Sequence, residues 1–264
     1  MQTNIKDTNS LTIGSITLSS RVILGTAQYP DPATLLRCIE LSGAHMATVA
    51  IRRVNLADAN RFSLVNLLKE KNIIFLPNTA GCFTAKEAIL TAHLAREALG
   101  IKQIKLEVIG DDFTLYPDAV ELLAATQALV KDGFEVYPYS PDDPVICQRL
   151  ADLGCVCVMP LASPIGSGRG LQNPHNLALI KSKVSIPVIV DAGIGTASDI
   201  CRAFELGLDA VLLNTAVAKA GYPEHMATAA GLAALAGRHA FFAQRMPTKD
   251  YAQASSTEGE RIGK

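Results

Sequence analysis

The feature that most constrains the fold is a repeated unit, in which a helical pattern ends in glycine and a short apolar run follows. The unit recurs as "ELSGAHMATVAI", "EALGIKQIKLEVI", "VKDGFEVYPY", "LADLGCVCVMP" and "FELGLDAVLL". Glycine readily adopts the left-handed conformation that ends a helix, so each unit reads as a helix, a tight turn and a strand. The chain is therefore predicted to alternate helices with strands.

Eight strands are predicted along the chain. Their ranges are Arg21 to Gly25, Met46 to Ile51, Ile73 to Pro77, Ile104 to Val108, Glu135 to Tyr139, Val156 to Pro160, Val188 to Asp191 and Ala210 to Asn214. Helical patterns such as "TAKEAILTAHLAREAL", "DAVELLAATQALV" and "TASDICRAFEL" lie between them and begin at capping residues. Strands joined by helical crossovers pair in parallel, so eight units predict an α/β fold, the closed (β/α)8 TIM barrel. An open doubly wound sheet is the main alternative.

The ends of the chain are predicted to differ from the rest of a single domain that spans residues 1–264. Residues 1–10 are expected to form a mobile arm, and residues 246–264 a flexible tail. The segment "LTIGSITLSS" alternates around Gly14 and Ser15, which predicts a small hairpin that closes the bottom of the barrel.

Composition excludes several classes of function. Half of the residues are hydrophobic (49%), 19% are charged and the net charge is -1, so no electrostatic footprint for nucleic acid is present. No uninterrupted apolar run approaches the roughly 20 residues of a membrane span. The N-terminus has no apolar signal region, and the six cysteines lack the spacing of zinc sites. We therefore expect a cytoplasmic protein with no metal, and expect Cys155 and Cys157 to share one face of a strand and pack in the core.

The fourth strand, "IKLEVI", carries two charges on one face. Alternation places Lys105 and Glu107 on the face opposite Ile104, Leu106 and Val108. On an edge strand this would be ordinary solvation, but in a barrel the two charges point into the lumen, where they need partners or a use. A neutral lysine there can form a Schiff base. Where water is excluded, we expect burial to outweigh a carboxylate about 6.5 Å away and to lower the pKa of the lysine.

Three loops at the carboxyl ends of strands six to eight have the character of a phosphate site. "PLASPIGSGRG" holds Gly166, Gly168 and Gly170, and "VDAGIG" holds Gly193 and Gly195 just before a helix. Asn214 and Thr215 follow strand eight as possible donors. Asp191 ends strand seven, the register of catalytic carboxylates in barrels. No histidine is expected near a strand's carboxyl end, so a histidine base is not predicted.

Seven motifs occur in the order found in one known family. They are "SRVILGT", "AIRRVN", "LPNTAG", "IKLEVIG", "SPIGSGRG", "VDAGIG" and "LLNTAV". From about Leu11 to Gly259 the chain resembles the bacterial and plastid thiazole synthases of the thiamin pathway. It departs from them at Ala27 and Gln28, where relatives often have glycine and lysine, and in the tail "YAQASSTEG", which lacks their proline.

The resemblance implies a reaction, site residues and partners. The substrates would be 1-deoxy-D-xylulose 5-phosphate, dehydroglycine (2-iminoacetate) and sulfur from a thiocarboxylated carrier protein of the ThiS type. Lys105 would form the Schiff base, Glu107 and Asp191 would act as acid and base, and no cofactor would be needed. Gly166, Ala192, Gly193, Asn214 and Thr215 would bind the sugar phosphate.

Further partners and two other readings remain open. The resemblance implies a homo-oligomer, a tetramer or a dimer, and contact with an imine-forming enzyme, ThiH or glycine oxidase. A class I aldolase would share the barrel lysine and the phosphate site but would need no carrier. A scaffold that only docks the sulfur carrier would need no reactive lysine.

Overall fold

Eight parallel strands form the barrel in this computed structural model, which describes residues 10–53 and 66–255. The barrel strands are β3 (Val22–Gly25), β4 (Met46–Ala50), β5 (Ile74–Asn78), β6 (Gln103–Leu106), β7 (Glu135–Ser140), β8 (Met159–Pro160), β9 (Ile189–Asp191) and β10 (Ala210–Leu213). They are ordered β8-β7-β6-β5-β4-β3-β10-β9. A parallel bridge between Val158 and Val188 joins the two ends of this order. The barrel is therefore closed, and the open doubly wound sheet is ruled out.

The helices alternate with the barrel strands. They are α1 (Pro32–Ser42), α2 (helical residues 66–70), α3 (Ala85–Leu99), α4 (Ala119–Lys131), α5 (Pro144–Asp152), α6 (Pro174–Lys183), α7 (Ala197–Glu205), α8 (Thr215–Ala218) and α9 (Pro223–Ala243). Thr84, Asp118 and Thr196 cap the three helices whose starts the sequence predicts. The five glycines of the repeated unit all have positive φ, as the left-handed helix end requires.

The strands separate two apolar regions. Outward side chains such as Ile104, Leu106 and Val108 pack against the helices. Inward side chains form a cluster in the lower half of the barrel, the lower lumen cluster, which consists of Leu11, Ile13, Leu18, Ile23, Met46, Leu76, Tyr137, Cys157, Met159, Ile189, Ala210 and Leu212. Only the upper half of the lumen is left for charged groups.

The predicted hairpin lies beneath this cluster. Its strands are β1 (Leu11–Ile13) and β2 (Ile16–Leu18), and Ile13 and Leu18 are fully buried. At the turn, the backbone N–H and the hydroxyl of Ser15 donate to Oε2 of Glu135 over 3.2 and 3.0 Å. Because Glu135 is the first residue of β7, the hairpin covers the amino-terminal end of the barrel.

The predicted bounds of the sixth barrel strand are wrong. The strand was expected from Val156, but a bend there leaves only Met159 and Pro160 in β8. The same bend breaks the alternation, so Cys155 packs in the outer core and Cys157 in the lower lumen cluster. Both thiols are buried as expected, but they do not share a face.

The remaining chain-level predictions have different outcomes. No described helix is long and apolar enough to cross a membrane. Residues 246–255 contain no helix or strand and are exposed, while residues 256–264 lie outside the described residues. Of the predicted mobile arm, residues 1–9 also lie outside them. The flexibility of both ends stays a prediction.

We predict that the hairpin is a major source of stability. Ile13→Ala should lower the free energy of unfolding by about 2–5 kcal/mol, because it opens a cavity in the lower lumen cluster. Thr12→Ala, on the exposed face of the same strand, should change it by less than about 0.5 kcal/mol. Urea unfolding measures both. Equal stability of the two variants would show that the hairpin does not seal the barrel.

Candidate active site

Three charged side chains meet in the upper lumen. All three are at least 94% buried: Lys105 lies on β6, Glu107 directly follows β6, and Asp191 ends β9. Nζ of Lys105 lies 3.0 Å from Oε1 of Glu107 and 2.8 Å from Oδ2 of Asp191. The inward orientation predicted for Lys105 and Glu107 is thus observed, and Asp191 reaches them from β9, three strands away around the closed barrel.

The two carboxylates determine the charge of the lysine. Burial alone lowers the pKa of Lys105, but the charges of Asp191 and Glu107 and their hydrogen bonds raise it, and the net direction is upward. At about 3 Å and an effective dielectric near 20, each carboxylate contributes roughly 5 kcal/mol, or about 10 in sum. Full burial opposes this with about 4–7 kcal/mol. The expectation that burial wins is wrong, because it assumed one carboxylate at twice the distance.

Asp191 is the carboxylate best suited to hold a proton. Burial, the largest effect, raises its pKa to about 6, although the Lys105 ammonium lowers it and Glu107 raises it further. Its Oδ2 faces the Lys105 ammonium at 2.8 Å and has no other partner within the described part of the chain. A group with a pKa near neutrality that contacts the amine can both take up and return a proton.

Glu107 is held by a residue that the sequence did not single out. Strand β6 ends at Leu106, so Glu107 lies beyond its last residue. The hydroxyl of buried Thr79 donates to the Glu107 carbonyl and accepts from the Glu107 N–H, both over 2.8 Å. The backbone N–H of Thr79 also donates to the Lys105 carbonyl over 3.1 Å. Thr79 therefore fixes the backbone of both charged residues. It lies in "LPNTAG", but nothing in that motif shows which residue it contacts.

The charged residues line the floor of a cavity of about 520 Å3 at the carboxyl ends of the strands. All eight predicted site residues line it, namely Lys105, Glu107, Gly166, Ala192, Gly193, Asp191, Asn214 and Thr215. Other lining residues include Gln28, Asn78 and Lys219, none of which was predicted as a site residue. The histidines of the described residues are absent from the lining, as expected.

The loops after β8 and β9 are packed backbone to backbone. The N–H of Gly170 donates to the Gly193 carbonyl over 2.8 Å, and the Ser163 hydroxyl donates to the same oxygen over 3.2 Å. A Cβ on Gly195 would lie 2.3 Å from the Gly168 carbonyl. These two loops form one wall of the cavity. Both are among the three loops that the sequence predicts for the phosphate site.

Glycine is required at position 193 because the two loops of this wall are tightly packed there. A Cβ at that position would lie 2.1 Å from the Ser163 hydroxyl, so a larger residue would separate the two loops. A bulky residue at position 193 would therefore disturb the packing of this wall as well as any anion bound against it. By contrast, a Cβ on Gly166 would meet its first neighbour, Oγ1 of Thr215, at 3.9 Å across the cavity.

Asn214 uses its amide to hold another loop. In the orientation that satisfies both amide atoms, Nδ2 donates to the carbonyls of Gly25 and Ala27 over 3.2 and 2.9 Å. These donors hold the loop after β3, where Gln28 lines the cavity with a positive φ of 70°. The amide NH2 of Asn214 therefore already has two acceptors in the protein, and a contact between Asn214 and the phosphate stays a prediction.

A model of the family described as thiazole biosynthesis protein ThiG matches residues 12–257. The chain belongs to this family. It is 51% identical to a thiazole synthase of Geobacter sulfurreducens over 255 residues, which are 97% of this chain and 98% of the relative. A thiazole synthase of Sorangium cellulosum is 52% identical over 96% of this chain and 98% of its own. The family makes this protein an enzyme of thiazole formation in thiamin biosynthesis.

Solved structures agree with the barrel. The BexX/CysO complex of Amycolatopsis orientalis contains a chain that superimposes with a TM-score of 0.83 and 30% identity, over 91% of this chain and 98% of that one. A thiamine phosphate pyrophosphorylase of Pyrococcus furiosus has a TM-score of 0.56 at 13% identity, over 81% of this chain and 94% of its own. The second likeness shows the fold alone.

We predict that Thr79 positions Glu107 through its backbone. Thr79→Val keeps the shape of the side chain but removes the hydroxyl, so the Glu107 backbone loses both partners and turnover should fall about 100-fold. Thr79→Ser keeps the hydroxyl and should stay within about fivefold of the native rate. The pH profile of turnover should change in the valine variant, since the ion pair that sets the lysine pKa moves. Equal losses in both variants would assign Thr79 to packing alone.

Proposed function

We propose that the cavity binds 1-deoxy-D-xylulose 5-phosphate and that Lys105 forms an imine with its C2 ketone. The observation that supports this most is the buried amine of Lys105 between two carboxylates, 3.0 and 2.8 Å away, on the floor of an open cavity. An amine in this setting has proton acceptors in contact, which addition to a carbonyl requires. The membership in the thiazole synthase family supports the same substrate.

The first step begins with proton transfer from the Lys105 ammonium to one of its carboxylate partners. The neutral nitrogen then adds to C2, and the ketone oxygen takes up a proton to give a carbinolamine. Loss of that hydroxyl as water gives the protonated imine. Asp191, with its pKa of about 6 and its Oδ2 2.8 Å from the amine, is the better carrier of the proton.

The same carboxylates serve the next step. The iminium draws electrons from C3, so a base can remove the C3 proton and leave an enamine. Proton return to C2 and loss of the C3 hydroxyl proton move the carbonyl to C3 while nitrogen stays on C2. Glu107 and Asp191 contact the amine from two sides, so one can remove a proton while the other returns one.

The phosphate of the substrate is proposed to lie between Gly166, Ala192, Gly193 and Thr215. These residues come from three adjacent loops and line the cavity above the charged floor. Ala192 and Gly193 both have positive φ, 75° and 83°, which turns successive peptide groups toward one side in the manner of anion-binding loops. The amide of Asn214 holds the neighbouring loop.

The other reactants reach the imine through the mouth of the cavity. We propose dehydroglycine as the second substrate and a thiocarboxylated sulfur carrier of the ThiS type as sulfur donor. That the matched chain, at 30% identity, comes from a crystal structure of a BexX/CysO complex supports a protein partner of this kind. Four expectations stay predictions: contact with an imine-forming enzyme, assembly as a homo-oligomer, a cytoplasmic location, and a reaction without metal or cofactor.

Two rival activities share parts of this site. A class I aldolase would use the lysine and phosphate loops without a carrier, and a docking scaffold would use neither. The family membership disfavours both activities. The buried ion pairs also disfavour the scaffold, because burying three charges in the lumen carries a desolvation penalty and a scaffold has no function for them.

We predict that borohydride reduction with 1-deoxy-D-xylulose 5-phosphate will attach the sugar phosphate to the peptide that contains Lys105. Mass spectrometry should show the label on Lys105 and not on Lys102, which is half-exposed and pairs with Glu135. Lys105→Arg should abolish the label. A label on Lys102, or none in the native protein, would refute the proposed imine. Turnover that needs the thiocarboxylated carrier would then exclude the aldolase.

We predict that amide variants of the two carboxylates will separate imine formation from proton transfer. Glu107→Gln and Asp191→Asn should each slow turnover about 10²–10⁴-fold but leave a trappable imine. Each removes one negative charge beside Lys105, so the lysine pKa should fall and trapping should reach its maximum at lower pH. The two shifts should be similar, because the two distances are.

The acid side of the pH profile adds a control. The native enzyme should lose activity as the pH falls through about 6, where Asp191 takes up a proton. That loss should disappear from the residual activity of Asp191→Asn and remain in Glu107→Gln. Native turnover in both variants would leave the carboxylates as structural partners of the lysine.

A further inference from the structure

The wall of the cavity carries four ionisable side chains, and one of them is not part of the buried cluster. Lys105, Glu107 and Asp191 pair with one another on the floor. The fourth is Lys219, which lines the mouth, is exposed, and forms no ion pair with any residue in 10–53 or 66–255. The proposed function gives this cation no role.

Lys219 lies beside the loops proposed to hold the phosphate. It directly follows α8, and its backbone N–H donates to the carbonyl of Thr215 over 3.0 Å, so the two residues are one helical turn apart. Residues four apart on a helical turn project from the same side. Thr215 faces Gly166 across the cavity, so the Lys219 side chain starts from the rim of the same pocket.

The negative charge of the floor favours a cation near the phosphate. With both carboxylates ionised, the lysine and its two partners sum to -1, and a phosphate monoester brings about -1.5 to -2 at neutral pH. The loop backbone offers N–H dipoles but no full charge. Without another cation the substrate would enter a cavity of its own sign, which weakens binding and slows entry.

We propose that Lys219 is the cation that binds the substrate's phosphate group and selects the phosphorylated ketose over the unphosphorylated one. This inference rests on the proposed function for the identity of the substrate. A lysine suits the place because its long stem carries a mobile point charge that can follow the phosphate in and out. Because the side chain is exposed, the interaction should weaken with added salt.

The test uses three variants of the full chain. Lys219→Gln removes the charge, Lys219→Arg keeps it, and Lys86→Gln removes an equal charge from the exposed first turn of α3, outside the cavity. Two probes are measured at low salt: the concentration of 1-deoxy-D-xylulose 5-phosphate that half-saturates imine trapping, and the affinity for inorganic phosphate by equilibrium dialysis. Trapping with unphosphorylated 1-deoxy-D-xylulose is the reference for effects unrelated to phosphate.

Lys219→Gln should raise the half-saturating concentration of the sugar phosphate about tenfold and weaken phosphate binding by a similar factor. It should leave trapping of the unphosphorylated sugar, and the maximal rate at saturation, unchanged. Lys219→Arg and Lys86→Gln should stay within about twofold of the native protein. The native preference for the phosphorylated sugar should also shrink as salt is added, and the glutamine variant should show a smaller salt effect.

Two results would overturn the inference: an unchanged affinity for the sugar phosphate in Lys219→Gln, or equal losses for both sugars. The proposed function can fail separately. If the native protein traps no imine but Lys219→Gln still loses affinity for inorganic phosphate, the phosphate role of Lys219 stands and the Schiff base does not. If the native protein traps the imine and Lys219→Gln binds inorganic phosphate as the native protein does, the Schiff base stands and the phosphate role of Lys219 does not.

Discussion

The ion pairs of Lys105 with Glu107 and Asp191 are the interaction on which the rest of the molecule depends. Three charges removed from water are stable only where each has a partner and no neighbour is left unpaired. The barrel supplies this by filling its lower half with apolar side chains and sealing it with the hairpin. The ring of Tyr139 lies 5.7 Å from the lysine nitrogen and adds a favourable face on one side. The lower lumen cluster thus confines the charged groups of the lumen to the upper end of the barrel.

The sequence predicts the fold well, because the signals that specify it are local. Thr84, Asp118 and Thr196 cap their helices through contacts within a few residues, and the helix-ending glycines need only a backbone angle. Alternation along one strand likewise places Lys105 and Glu107 on one face. The bend at Val156 could not be predicted, because it depends on how the sixth strand meets its neighbours.

The electrostatics of the site could not be predicted in the same way. Two residues along the strand separate the backbones of Lys105 and Glu107 by about 6.5 Å, but the flexible side chains close this to 3.0 Å. Asp191 comes from a strand three places away around the closed barrel, and its 2.8 Å contact is a tertiary property. The sign of the lysine's pKa shift follows from those two distances, so it could be obtained only from the folded structure.

The same limit applies to Asn214 and Thr79. The sequence shows that an amide and a hydroxyl lie at carboxyl ends of strands, but not which acceptors they reach. In the structure, Asn214 holds the loop after β3 and Thr79 holds the backbone of Glu107. Residues that resemble ligand donors in a motif can therefore act one step away, on the loops and strands that carry the reactive groups.

A single backbone turn connects the two halves of the proposed site. Asp191 ends β9, and the next residue, Ala192, adopts a positive φ of 75° that a residue with a Cβ rarely takes and that costs about 1 kcal/mol or more. The turn is held from outside, since the Ala192 carbonyl accepts from Ala162 and the Gly193 carbonyl from Gly170. An anion bound at this turn would be held by the same peptides that orient the Asp191 carboxylate. If the phosphate binds at this turn as proposed, its occupancy and the position of the proposed proton carrier, Asp191, would be mechanically coupled, and the non-reacting end of the substrate would align the reacting end.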